Sequence, residues 1–231
     1  MKRIVAIVVI MSAALIGTHT ANAATTAPAA CSAGYVNISY DDSPTQYTPV
    51  LLTTLKSSSL KATFFDVGDR MAQYPTYAKS QYSAGMQVEN HTQSHNDLTG
   101  AVSPIHDLAT TEYAIIQQTG QIPAFYRPPY GSTTPDVRAD VEQLGLTEVI
   151  WTVDTMDWSS PSVASIVASA STVKPGGFIL MHDGYPNTIS AVPQIAAMLK
   201  SKGLCAGKIV TSTTPTVAWE GLSFPATVAK F

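Results

Sequence analysis

The sequence predicts an α/β domain built on a parallel sheet covered by helices, and three observations carry that prediction. Short apolar runs that read as strands alternate with longer amphipathic stretches that read as helices, from residue 34 to residue 212. No internal repeat or long linker interrupts the alternation. Once the leader described below is set aside, roughly 208 residues remain, enough for one domain with a sizeable core. Seven strands can form an open doubly wound sheet or a closed barrel, and periodicity does not choose between them.

Taken in order, GYVNISY (34–40) reads as the first strand, and 48–58 as a helix with Leu51, Leu52 and Leu55 on one side. KATFFDV (61–67) is the second strand. A helix over 69–83 follows, interrupted near Pro75 because proline lacks the backbone donor. MQVEN (86–90) is a strand, 104–119 a helix, and PAFYR (123–127) a strand. A helix over 135–144 ends at Gly145, and TEVIWTVD (147–154) reads as one strand. The spacing then predicts a helix over 162–171, the strand GFILMH (177–182), a helix over 190–202 ended by Gly203, and a last short strand, GKIVTS (207–212).

The first 23 residues fit a secretory signal peptide rather than folded structure. Lys2 and Arg3 precede an apolar run from Ile4 to Ile16, and the small-residue site Ala21-Asn22-Ala23 follows. The run is too short to span a bilayer, which takes ~20 residues. Cleavage after Ala23 would leave 11 basic against 16 acidic residues, a formal charge of −5. With no basic run, nothing points to nucleic acid, and no later stretch is long and apolar enough to span a membrane. The mature chain is expected to be secreted, extracellular or periplasmic, soluble and monomeric. Its two cysteines, Cys31 and Cys205, would then meet an oxidising compartment, where a disulfide is the simplest reading. Residues 24–33 read as a lead-in, 34–212 as the domain, and 213–231 as a closing strand or a tail.

In either α/β architecture the active site lies at the carboxyl ends of the strands. Asp41-Asp42 follows the first strand, and His91-Thr-Gln-Ser-His95 follows 86–90. Arg127-Pro-Pro-Tyr130-Gly131 closes 123–127, Asp154 and Asp157-Trp158 lie at or just beyond the end of 147–154, and His182 ends 177–182. His91 and His95, spaced i, i+4, share one face on a helical turn and can bind one ion. Two imidazoles and one carboxylate suit Zn²⁺ with an open position. In a regular strand Asp41 and Asp42 would face opposite ways. Where the chain turns, both can face the pocket, one as ligand and one as base; taken alone, the pair also fits an Asx-rich turn closed by Pro44. Tyr130, Trp151, Trp158 and Tyr185 could build a sugar platform, although Trp151, inside an apolar strand, reads as core. His106, and Tyr47, Tyr74, Tyr77 and Tyr82, read as packing or surface. There is no dinucleotide fingerprint or phosphate loop, no G-x-S-x-G and no H-E-x-x-H, so a serine esterase or a zinc peptidase of that type is disfavoured.

The motifs YDDSP, HTQSH, RPPYG, DTMDW and LMH, in this order, resemble the polysaccharide deacetylases of carbohydrate esterase family 4, which share the NodB-homology domain. The resemblance covers about residues 34–206. GLTEVIW and KGLC also look like the secreted acetylxylan esterases, which carry a terminal disulfide of this kind. It implies a distorted (β/α) barrel of about seven parallel strands and a divalent metal, Zn²⁺ first, with Co²⁺ or another transition metal as alternatives. It implies Asp42, His91 and His95 as ligands and Asp41 as general base, held by Arg127. The backbone N–H of Tyr130 would serve the oxyanion and His182 would be the general acid, tuned by Asp157. Trp158 and Leu180 would line the acetyl pocket. The implied substrate is an acetylated polysaccharide or oligosaccharide, acetylxylan or chitooligosaccharide, with peptidoglycan N-acetylglucosamine deacetylation or a weakly active glycan-binding relative as alternatives. One position departs: the family usually has glycine where this chain has Ser43, so the serine is expected to shift the Asp41–Asp42 geometry.

Overall fold

The computed structural model describes residues 31–217 and 223–231, and of 213–217 and 223–225 the backbone only. The leader expected over 1–23, and the lead-in up to residue 30, lie outside the described residues. In β1 (Gly34–Ser43) the strand alternation divides two environments. Val36, Ile38 and Tyr40 pack against α1 (Thr48–Ser57), α6 (Val163–Ala170) and α7 (Pro186–Ser201), through Leu51, Leu55, Ile166, Ala170 and Ile195. Asn37, Ser39 and Asp41 face the other way, into the barrel.

The same parity runs through β2 (Thr63–Asp66), β3 (Gln87–Asn90), β4 (Phe125–Tyr126) and β7 (Phe178–His182). Phe65, Phe125, Phe178 and Leu180 form an inner apolar cluster. Phe64, Ile179 and Met181 join the outer layer, while Val88 packs on Met71 of α2 (Gly68–Gln73), Ala78 of α3 (Tyr77–Ser83) and Ile115 of α4 (Pro104–Thr119). Parallel pairing gives the order β5-β4-β3-β2-β1-β7-β6, a nearly closed barrel-like sheet. Its last two pieces are β5 (Thr147–Glu148), which follows α5 (Pro135–Gln143), and β6 (Val153–Asp154). The α/β class and the barrel both hold.

The segment 147–154 is not the single strand expected from its apolar run. Its first residues pair with β4 and its last with β7, so it crosses the seam of the barrel. Between them the carbonyls of Val149 and Ile150 accept from Arg127 Nε (3.2 Å) and Nη2 (3.4 Å), in place of strand partners. The helix expected over 69–83 is two helices, broken around Pro75. Helix α7 begins four residues before residue 190, with Pro186 in its first turn, where a missing N–H costs nothing.

The chain closes with β8 (Leu204–Val217) and β9 (Ser223–Lys230), an antiparallel pair longer than the short strand expected. β8 pairs with the first residues of β1, Gly34 to Val36. Ile209 and Ala226 complete the inner cluster, and Gln87 bonds both the N–H and the carbonyl of Ile209 (2.7 and 2.9 Å). The pair therefore covers the amino-terminal end of the barrel, opposite the strand ends that carry the motifs. The Cys31–Cys205 disulfide, with Cα atoms 5.3 Å apart across 174 residues, joins the start of the domain to β8. In the chain-entropy account, closure of so long a loop contributes about 5 kcal/mol. No described helix is long and apolar enough to cross a membrane.

Glu89 lies fully buried among the inward side chains, its Oε2 accepting from the N–H groups of Ala124 (2.8 Å) and Phe125 (3.0 Å). Burial outweighs these bonds and pushes its pKa from 4.5 up to about 8. Between those values the folded state keeps a proton that the unfolded state has lost, so stability falls as pH rises through the window. Urea midpoints measured from pH 5 to 8 should decline in the wild type and decline less steeply in Glu89→Gln. An equal slope in both would show that Glu89 does not titrate there.

Candidate active site

The two aspartates diverge because β1 is bulged at its end. The register with β2 slips between Tyr40 and Ser43, and Asp42 adopts a left-handed backbone, φ 64°. Both carboxylates then line one cleft of about 440 Å³ at the carboxyl end of the barrel. Asp41 continues the inward row and meets Arg127, whose Nη1 donates to Asp41 Oδ1 at 2.7 Å. That guanidinium has no solvent exposure. It also donates to Ser39 Oγ (2.7 Å) and lies 4.1 Å from the centre of the Phe65 ring.

His91 and His95 do converge, but not on a helical turn. Residues 91–95 form an irregular loop in which Thr92 (φ 68°) and His95 (φ 56°) are left-handed. His91 continues the inward row of Gln87 and Glu89, and its Nδ1 lies 2.7 Å from the Arg127 carbonyl. That contact fixes the proton on Nδ1 and leaves the Nε2 lone pair facing the cleft. Asp42 Oδ1 stands 3.0 Å from His95 Nε2 and 3.8 Å from His91 Nε2. The three ligand atoms lie within 4.8 Å of one another. A tetrahedron with bonds of about 2.0–2.1 Å has edges of roughly 3.4 Å, so this donor set fits a zinc-sized ion. Burial opposes the Asp42 charge, but His95, His91 and Arg70 outweigh it and hold the carboxyl well below its usual range. Burial lowers the His91 pKa and favours the neutral ligand form.

Across the cleft His182 ends β7, and its Nδ1 lies 2.7 Å from Asp157 Oδ1. Asp157 Oδ2 accepts from the His182 N–H (2.8 Å) and from Thr188 Oγ1 (2.6 Å), so the carboxylate is fixed from two elements. Burial pulls the imidazole pKa down, but the hydrogen bond and charge of Asp157, with Asp41 and Asp42 behind it, carry it above 6.5. Tyr130 has a left-handed backbone (φ 60°), and its ring is 69% exposed, edge-on over His95. Trp158 is half exposed, whereas Leu180 is buried in the wall. Trp151 is core, as expected, yet one side of it lines the cleft, and Tyr185 stands near His182. His106 is exposed on α4.

Ser43 does not itself take the positive φ that a glycine would favour. The positive φ falls on Asp42, so no glycine conformation is required at residue 43. Ser43 is buried and its Oγ donates to Asp183 Oδ2 at 3.3 Å. Thr48 Oγ1 donates to the same oxygen at 2.5 Å, and the Asp183 N–H donates to the Asp41 carbonyl at 3.1 Å. Two groups at the site were missed by the sequence reading, Asp183 and Arg70 beside Asp42. Asp154, named there only at a strand end, lines the cleft and accepts from the Met156 N–H at 2.7 Å. Applying the strand-end rule to β2 as well would have found Arg70, in the Gly68-Asp69-Arg70 that follows it.

The family model described as polysaccharide deacetylase matches residues 30–149. A bifunctional xylanase/xylan deacetylase of Cellvibrio japonicus is 38% identical over 80% of this chain, which spans 28% of that protein. A chitooligosaccharide deacetylase of a Bradyrhizobium strain is 38% identical over 65% of this chain and 71% of its own length. Among solved structures, a family 4 carbohydrate esterase from Streptomyces lividans in complex with acetate superposes with a TM-score of 0.75 at 38% identity, covering 86% of this chain and 98% of that one. With its barrel, its cleft and these relatives in agreement, the chain belongs to the polysaccharide deacetylase family, the hydrolases of carbohydrate esterase family 4.

Proposed function

We propose that this protein is a secreted, metal-dependent deacetylase that removes acetyl groups from β-1,4-linked glycans, acetylxylan or chitooligosaccharides. The observation that carries the reading is the meeting, in one cleft, of the Asp42–His91–His95 donor set with a carboxylate held by a cation, Asp41–Arg127, and an imidazole held by a carboxylate, His182–Asp157. Asp42, His91 and His95 hold the ion, Zn²⁺ in the first instance, which supplies Lewis acidity toward the acetyl carbonyl and toward water. Arg127 occupies Asp41 Oδ1 and leaves Oδ2 free to take the proton of the attacking water. The N–H of Tyr130 serves the oxyanion, a contribution of about 3–4 kcal/mol for one such donor. With Nδ1 turned to Asp157, His182 presents Nε2–H to the leaving oxygen or nitrogen. An amine leaves poorly without a proton, so His182 matters more for N-acetyl than for O-acetyl substrates. Leu180 and Trp158 flank the acetyl group. The leader expected over 1–23 and the Cys31–Cys205 disulfide support export, and β9 extends the proposed domain beyond the expected limit at residue 212. Ser43 does not favour the weakly active, glycan-binding alternative, since it takes no positive φ and its hydroxyl bonds Asp183.

Acetate release by the mature protein from acetylxylan and from chitopentaose should vanish with chelator and return with zinc. No release from either substrate, with zinc bound, would overturn the activity proposed. Asp41→Asn should lower kcat by at least ~10²-fold while zinc affinity stays nearly intact, and His95→Ala should lose both. Retained turnover in Asp41→Asn would reject Asp41 as base. Asp157→Asn removes what raises the His182 pKa, so the alkaline limb of the pH–rate profile should move to lower pH. An unmoved limb would separate that limb from His182.

A further inference from the structure

Two consecutive residues at the start of α2 touch both segments that carry the proposed ligands. Arg70 donates from Nη1 to the carbonyl of Asp42, and its Nη2 lies 3.6 Å from Asp42 Oδ2. Oδ2 is the carboxylate oxygen other than Oδ1, which faces His95 and His91. Asp69 accepts from Gln93 Nε2 (2.8 Å) and Ser94 Oγ (2.6 Å), both between the two histidines. The N–H groups of Gly68 and Asp69 donate to the carbonyls of Thr92 (3.0 Å) and Gln93 (2.8 Å). Gly68 leaves room for this seam: a Cβ there would meet the Gln93 amide at 2.0 Å.

We propose that Asp69 and Arg70 are positioning residues of the metal centre, one fixing the histidine loop and the other fixing the ligand carboxylate. The inference rests on the metal reading above. Asp42, Thr92 and His95 all hold left-handed backbones, conformations that non-glycine residues keep only where surrounding contacts hold them. Arg70 fixes the carbonyl of the first, and the Asp69 seam fixes the loop containing the other two. The Arg70 charge beside Oδ2 also favours Oδ1 as the ligand atom, in the manner of groups that orient a ligand without touching the ion.

A charge-only account predicts the opposite outcome. A guanidinium beside the ligand carboxylate repels a divalent cation, so on that account its removal tightens binding. Zinc affinity measured by competition with a chromophoric chelator separates the two. Arg70→Met and Asp69→Asn should each weaken zinc about 10–100-fold. Arg70→Lys should recover part of the loss, and the metal-free melting temperatures should stay close to wild type. Affinity unchanged or tightened in Arg70→Met, with wild type binding normally, would overturn the positioning role alone. Absence of zinc binding by wild type would overturn the metal reading and the positioning role with it.

Discussion

A guanidinium with no solvent exposure ties the chemistry of this protein to the closure of its fold. Arg127 meets Asp41 and Ser39 on β1 and the carbonyls of Val149 and Ile150, where the chain crosses the barrel seam, and it lies over Phe65 of β2. A buried cation of this kind is tolerable only when its donors and its charge are answered together. Here the same five contacts answer both demands. The carboxylate proposed as base is therefore oriented by the group that also bonds the carbonyls of Val149 and Ile150 at the barrel seam. Removing either partner leaves an uncompensated buried charge, a loss of about 3–5 kcal/mol.

Strand parity does the rest of the positioning. The inward residues of β1 end at Asp41, those of β3 lead to His91, that of β4 to Arg127 and those of β7 to His182. A slip of one residue in any of these strands would turn its functional side chain into the helical layer. The bulge at the end of β1 brings Asp42 to the cleft beside Asp41, and the loop after β3 brings His95.

Much of this was legible in the sequence because it depends on local rules. The strand ends and the alternation that predicts an α/β layer follow from periodicity, and the polar residues at those ends from the carboxyl-end rule, while the five motifs and the residue roles come from the family resemblance. What was not legible depends on partners distant in the chain. The segment 147–154 reads as one apolar strand, and only the positions of β4, β7 and Arg127 divide it. His91 and His95 have helical spacing, yet the seam with Gly68 and Asp69 holds their loop out of a helix. The hydrogen bond that Ser43 makes was not legible because its partner, Asp183, lies 140 residues away. Arg70 belongs to no motif, and its contact with Asp42 appears only when β1 and β2 lie side by side.

The β8–β9 pair makes the barrel a blind vessel. Ile209 and Ala226 complete its apolar floor, and Gln87 laces that floor to β3. Traffic is thereby restricted to one mouth, the rim where Tyr130, Trp158 and Tyr185 stand. Under the chemistry proposed here, acetate forms at the deeper end of that passage, beneath the glycan that carried it in. Both products then leave by the rim through which the glycan entered.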